Sequence, residues 1–457
     1  MNYNSVQANP KSNSTEFLIG GDDDGDGLLN SWEINGLDIN NDGNIDLDLP
    51  AMGSDPSHKD IFVEVDFMEN HRPNQAALDE VITSFANSPS VNPDGNNGIN
   101  LHINIDEQLP HEDNMNSDDL YEYKGLHLGN VVERADANRD NVINAREIAT
   151  HYAIFGHTQP YSTSSGESPN MPGKEFMVTL GASKWGSDPA TGHNVGSIDQ
   201  QSGTFMHELG HNLGLDHGGW NDINCKPNYL SVMNYAYQMS SLLGNRTLDY
   251  SRSVLPLLNE NNLNEVEGLG MSTPPNMISA YGPPPIKFTF TGIPVDWSRD
   301  DTTTDLGVHA DINNIPSEGC LRSSGENLAG YNDWASLTFG DVSNGTGSTH
   351  SGAGQKEFTT EDLIGHRILL WESIKDLAYP VNPIYYNFSN PTEVQNYQLT
   401  NAILNDTYNN MTNLLVTSQL KNAINQTNEL KELYKVTNDT KPIWYMDNMV
   451  TVLQKQI

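Results

Sequence analysis

Cysteine is nearly absent from this 457-residue chain. Cys225 and Cys320 are the only two, so at most one disulfide can form, with two free thiols as the alternative. Basic residues are scarce as well. Lys and Arg total 23 against 60 Asp and Glu, a formal net charge of −37 that repels phosphate backbones and anionic membrane surfaces. Nucleic acid is therefore not an expected partner. No apolar run approaches the ~18 residues that a membrane helix needs, so no membrane span is expected. The opening MNYNSVQANPKSNSTEF also lacks the apolar stretch of a secretory signal; export would require a leader already removed or another route. What remains is apolar enough to fold: hydrophobic residues make up 36%, with 7 Trp, 18 Tyr and 12 Phe, too many for a wholly disordered acidic chain. At roughly 150 residues per domain, the length suits about three structural units.

Much of the acid falls in short Asp/Asn/Gly clusters, which repel themselves unless a cation neutralises them. Counting from Asp22, oxygen donors fall at Asp22, Asp24 and Asp26, the Leu28 carbonyl is seventh, and Glu33 is twelfth, with Gly27 at the sharp sixth position. This is the EF-hand loop spacing, which surrounds one calcium ion with oxygens and closes on a bidentate carboxylate. A second, irregular cluster holds Asp38, Asn40, Asp42 and Asn44, with Asp46 beyond and Leu49 at the twelfth position. Only Ile34 to Leu37 separate the two loops, too few residues for paired EF-hand helices. Tandem loops similar to thrombospondin type 3 repeats or dockerins fit better. A third run comprises Asp136, Asn138, Asp140, the Val142 carbonyl and Glu147, with Asn141 where glycine is usual. It reads either as a calcium loop or as a polar loop capping the next helix. The segment Asp296 to Asp305 (DWSRDDTTTD) carries the same two readings, calcium loop or solvated turn.

Alternating apolar residues predict strands at Ile61, Val63, Val65 and Phe67, at Ile99 to Ile105, and from Glu175 to Ala182. Between the first two, Ala77, Leu78, Val81, Ile82 and Phe85 follow helical spacing, which gives a strand–helix–strand unit. A long helix is expected from near Gln201. Residues 221–354 are rich in Gly, Pro, Asn and Ser and read as mostly irregular, with short strands such as IKFTFTG. Beyond Phe358, apolar residues again follow helical spacing. The organisation expected is an acidic calcium-loop segment at 1–57, a central domain at 58–355 and a helical region at 356–457, an α+β chain overall. Asn-x-Ser/Thr triplets at Asn405, Asn410 and Asn425 arise by chance in so Asn-rich a chain, and no glycosylation is inferred.

The chemistry concentrates in residues 207 to 217, HELGHNLGLDH. On a helix His207 and His211 lie one turn apart on one face, which places two imidazole nitrogens about 2.0 Å from one metal ion. Glu208 stands beside them. Gly214 permits a left-handed turn that ends the helix and brings His217 back as a third ligand. Three His, one Glu and one Gly in fixed register arise by chance in roughly one chain in ten thousand. Other histidines, among them His151, His157 and His193, have no ligand register and read as surface or local hydrogen-bonding groups.

HELGHNLGLDH resembles the zinc-binding consensus of the metzincin metallopeptidases, and SVMNY at Ser231–Tyr235 resembles their Met-turn. The resemblance implies a metzincin-like catalytic domain: a twisted mixed sheet, a backing helix, an active-site helix and an irregular lower subdomain. It implies one zinc on His207, His211 and His217, Glu208 as general base, Met233 beneath the metal, and Tyr235 as a zinc ligand or stabiliser of the transition state. Ordinary packing is the alternative for Met233 and for Tyr235. Gly218 stands where the main subfamilies usually carry a distinguishing polar residue or proline. DGDGLLNSWEINGLD, HKDIFVEVDFM, CKPNYLSVMNY and GYNDWASLTF are similar to a group of secreted bacterial zinc proteases with an acidic calcium-loop preface, over residues 20 to 340. No cysteine precedes the motif, so no upstream thiolate in this sequence can occupy the metal. The expectation is a secreted zinc endopeptidase acting on proteins or peptides and stabilised by two or more calcium ions. The alternatives are a calcium-dependent binding or adhesive protein with a vestigial zinc site, and a dedicated toxin or processing protease with one partner.

Overall fold

The computed structural model describes residues 21–189, 191–244, 246–320 and 325–339. The helical region expected at 356–457 and the Asn-x-Ser/Thr triplets lie outside them. In chain order the elements that frame the site are α1 (Asn30–Asn35), α2 (Leu49–Met52), β1 (Asp60–Met68), α3 (Gln75–Ala86), β2 (Asn100–Leu109), α4 (Ser117–His127), α5 (Val131–Arg134), α6 (Arg139–Ala149), β3 (Thr150–Phe155), β4 (Gly166–Glu167), β5 (Glu175–Val178), α7 (Ile198–Asn212) and α8 (Tyr235–Gln238). The chain is mixed α and β. Its five-stranded sheet runs β2-β1-β3-β5-β4, parallel except for the antiparallel edge strand β4.

The expected strand–helix–strand unit is present as β1, α3 and β2. Asn74 starts α3 by accepting a hydrogen bond from the Ala76 N–H at 2.9 Å, and Ala77, Leu78, Val81 and Phe85 form its buried face. Ile61, Val63, Val65 and Phe67 share one core as their alternation predicts, and the residues between them are buried too, so every residue from Asp60 to Met68 is covered. A central parallel strand is covered on both sides. Val63, Val65 and Phe67 join the core that includes α3 and α7, whereas Phe62 packs against Leu28, Leu37, Leu47 and Leu49 of the acidic segment and Ala145 and Ala149 of α6. Glu64 also points away from the main core. It accepts from the Gly129 N–H at 2.8 Å and lies 3.3 Å from Arg146, yet burial still pushes its carboxyl up to about 8. The acidic segment is thus part of the packed body.

The expected strand at Glu175 to Ala182 is shorter, ending at Val178. The long helix expected from near Gln201 begins at Ile198, where Ser197 and Gln200 form a reciprocal capping box, and every residue from Gln201 to Asn212 is buried. Beyond it the chain is irregular, with short antiparallel pairs: β6 (Leu258–Asn259) with β11 (Asn327–Leu328), β7 (Leu263–Asn264) with β10 (Leu306–Val308), and β8 (Ile278–Tyr281) with β9 (Lys287–Phe290). Of the two cysteine readings the structure has the disulfide: Cys225 and Cys320 are joined, with Cα atoms 6.2 Å apart. Among the described residues no helix is long and apolar enough to cross a membrane.

Candidate metal centres

Helical spacing sets the first two histidines. His207 and His211 project from one face of α7, their ring centroids 4.8 Å apart. Gly214 then takes φ +87°, and the Leu215 N–H bonds back to the Gly210 carbonyl, closing the helix with a left-handed turn. The chain returns His217 to 5.3 Å from His207 and 4.9 Å from His211, centroid to centroid. All three are buried, and one ring nitrogen from each lies within 4.8 Å of the others.

Each ring is oriented through its Nδ1. That atom in His207 meets the Val232 carbonyl at 2.9 Å, in His211 the Leu215 carbonyl at 2.7 Å, and in His217 the Asp222 carboxylate at 3.0 Å. An Nδ1–H held by an acceptor leaves the lone pair on Nε2, the arrangement of a histidine metal ligand with its outer partner. A donor set of three neutral imidazoles suits zinc and leaves a position for water or substrate. The residues present fit that ion.

Glu208 is fully buried beside this triangle. Gly166, on the edge strand β4, faces it: a Cβ at that position would lie 2.6 Å from Glu208 Oε1 and 2.6 Å from the Met177 carbonyl oxygen. The Tyr235 ring lies 4.7 Å from that of His217 and 5.8 Å from that of His207, and its N–H donates to Asn224 Oδ1 at 2.9 Å. Met233 is fully buried, and a methyl group on Gly210 would overlap its Sδ. The Met-turn therefore lies against the helix between the two histidines and supplies, through Val232, the acceptor for His207. Gly218 is required by close approach, since a Cβ there would lie 2.5 Å from the Ile223 carbonyl oxygen. Its carbonyl accepts from the buried Lys226 ammonium at 2.6 Å, and burial lowers that lysine to about 8.

The first acidic loop forms a second centre. Asp22 accepts from the Gly25 and Gly27 N–H groups, and Asp26 from those of Leu28 and Asp60, which curls the chain around its own carboxylates. Asp24, Asp26 and Glu33 are buried, and Asp24 Oδ2 and both Glu33 oxygens have no hydrogen-bond partner. Burial first, and then repulsion among the acids, pushes Asp24 up to about 7, Asp26 to about 8 and Glu33 to about 9. Buried carboxylates so placed are stabilised by a hard cation. Asp60, at the start of β1, was missed by spacing: it lies close to Asp26 and Glu33, with one carboxylate oxygen from each within 4.8 Å of the others. No local spacing marks it, because only the fold brings the start of β1 to the loop.

The second loop is closed by turns. Asp38 accepts from the Asp42 and Gly43 N–H groups, Asn40 from that of Asp42, and Asp42 from that of Asn44. Its twelfth residue, Leu49, is buried in α2, and Asp46 instead reaches across to Asn138 Nδ2 at 2.5 Å. The third calcium loop is a correction. Residues 139–149 form α6, so Asp140, the Val142 backbone and Glu147 are helical; seven residues at 1.5 Å rise separate Asp140 and Glu147 by about 10 Å, too far to share one ion. Asn141 supplies no sharp turn. Instead Val142, Ala145, Arg146 and Ala149 bury one helix face, while Asp136 only accepts from the Asn138 N–H at 2.7 Å. In the Asp296 segment the oxygens of Asp296 accept from Arg299 and Asp301 N–H groups, and those of the buried Glu265 from Ser298 and Asp305. His151 makes the local bond expected of it, Nδ1 to Asn212 Oδ1 at 3.1 Å.

No protein-family model matches the chain, and no curated protein sequence matches it.

Proposed function

We propose that this chain is a zinc-dependent endopeptidase of the metzincin type, secreted and stabilised by calcium. The observation that carries the reading is the buried triangle of His207, His211 and His217, each ring tied outward through Nδ1, with Glu208 and Tyr235 beside it. His207, His211 and His217 would hold the ion. Zinc bound there supplies Lewis acidity, which makes a water acidic near neutrality and polarises a peptide carbonyl.

The chain's own groups do the rest. Glu208, buried and fixed on α7, accepts the proton of the attacking water and later delivers it to the leaving amine nitrogen. The Tyr235 hydroxyl would donate a hydrogen bond to the oxygen that gains negative charge as the carbonyl carbon becomes tetrahedral. An extended peptide can pair with the edge strand β4, whose Gly166 borders Glu208, so the scissile bond enters beside the base. The buried disulfide supports an oxidising compartment. The partners are proteins or peptides.

Mass-spectrometric mapping of products from a mixed peptide library, with zinc measured on the same sample, tests the reading. Internal cleavage that disappears on zinc removal and returns on addition supports it. Absence of cleavage from the library and from every protein substrate, in a zinc-loaded sample, sinks it in favour of a binding protein.

A further inference from the structure

Outside the site just described, three more histidines converge. His71 follows the end of β1, His111 follows β2 and His157 follows β3, so each leaves the C-terminal edge of the parallel sheet on a neighbouring strand. Their ring centroids are 5.4 Å (His71–His111), 4.9 Å (His71–His157) and 5.0 Å (His111–His157) apart. The corresponding separations among His207, His211 and His217 are 4.8, 5.3 and 4.9 Å. The two triangles are nearly the same size. One ring nitrogen of each member lies within 4.8 Å of the others, and His157 Nδ1 is 3.0 Å from His71 Nε2, close to the separation of two nitrogens bound to one tetrahedral ion.

We propose that His71, His111 and His157 form a second site for a divalent ion of the zinc type, distinct from the one on α7. The donor chemistry selects the class: imidazole nitrogens suit zinc and its first-row neighbours, whereas calcium and magnesium need oxygen. His71 is buried. Asp113, 3.3 Å from His111 Nε2, stands at the exposed rim, where it can orient that ring or complete the coordination.

The site would act as a clamp. Around it the loops are already joined by backbone bonds, Glu69 to Leu109 and Met115 to Thr158. From His157 the chain runs past Gln159, whose side-chain amide donates to the Gly166 carbonyl at 2.8 Å, into the edge strand that borders Glu208. An ion on the three histidines therefore fixes the wall of the proposed cleft without touching its chemistry.

Counting bound zinc tests this. The full chain is stripped with chelator, reloaded with zinc in excess calcium, dialysed, and analysed by inductively coupled plasma mass spectrometry. Wild type is expected to hold two zinc ions. His111→Asn, at the exposed corner, and His157→Asn should each hold one, His207→Asn should hold one, and His207→Asn combined with His111→Asn none. A single zinc in wild type that His207→Asn loses and His111→Asn keeps, or a wild-type count in both His111→Asn and His157→Asn, overturns the second site. A full count in His207→Asn with a reduced one in His111→Asn would instead remove the proposed active site and leave this one standing.

Discussion

Gly166 on the edge strand and Glu208 on α7 are in such close apposition that a single methyl group on the glycine would lie 2.6 Å from the carboxylate oxygen. The glycine is a positioning residue. Gly166→Ala forces Glu208 or the strand aside, and a displacement of about 1 Å at a catalytic group costs roughly 100-fold in rate. Peptide hydrolysis by Gly166→Ala should fall by about that factor in kcat, with zinc content unchanged. Loss of zinc together with activity would show instead that the substitution disturbs the histidines.

Glu208→Gln fills the same space but cannot accept the water's proton. It should keep its zinc and lose about 100- to 10,000-fold in turnover. Wild-type rates in the zinc-loaded variant would remove Glu208 from the role of base.

His217 is the histidine that the turn at Gly214 returns to the other two, and two helical imidazoles alone hold a metal poorly. His217→Ala should lose zinc under mild chelation that leaves the wild type loaded. Equal occupancy in the two proteins counts against His217 as a ligand.

The acidic loop has a pH signature in the absence of calcium. Folding raises Asp24 to about 7, Asp26 to about 8 and Glu33 to about 9, from ordinary values near 4. For a raised carboxylate the folded state binds the proton more tightly than the unfolded one, so its stabilisation is full below about pH 4 and is lost as pH rises through the folded value. Between about pH 5 and 9 the melting temperature of the calcium-free protein should therefore fall from this source. Calcium displaces those protons and binds the native state, so the melting-temperature gap between calcium-loaded and calcium-free samples should widen as pH rises. A gap independent of pH argues against these carboxylates as ligands. Asp24→Ala and Asp60→Asn should both weaken the calcium response, whereas Asp140→Ala, whose side chain projects from α6 with 93% exposure, should behave as wild type.

Breaking the Cys225–Cys320 bond opens a loop spanning 95 residues. In the chain-entropy view this costs about 4.7 kcal/mol of stability. Cys320→Ser should unfold at correspondingly lower denaturant concentration, read by far-ultraviolet circular dichroism; an unchanged midpoint would show that the crosslink constrains little.

Short-range periodicity carried much of this protein's plan. His207 and His211 share a face because the helix repeats every 3.6 residues, and Gly214 announces the turn that returns His217 because few other residues accept a φ of +87°. The convergence of the carboxylates in the first acidic loop was legible for the same reason: they alternate along one short segment. The run from Asp136 to Glu147 misled because side-chain spacing does not say whether the backbone turns, and the burial of Val142, Ala145 and Ala149 drew it into a helix. Tertiary structure alone decided the rest. Asp60 reaches the first acidic loop, and Gly166 reaches Glu208, only after the strands have paired. His71, His111 and His157 lie 40 or more residues apart and have no common period; they meet because parallel strands leave a sheet at the same edge, whatever the length of chain between them.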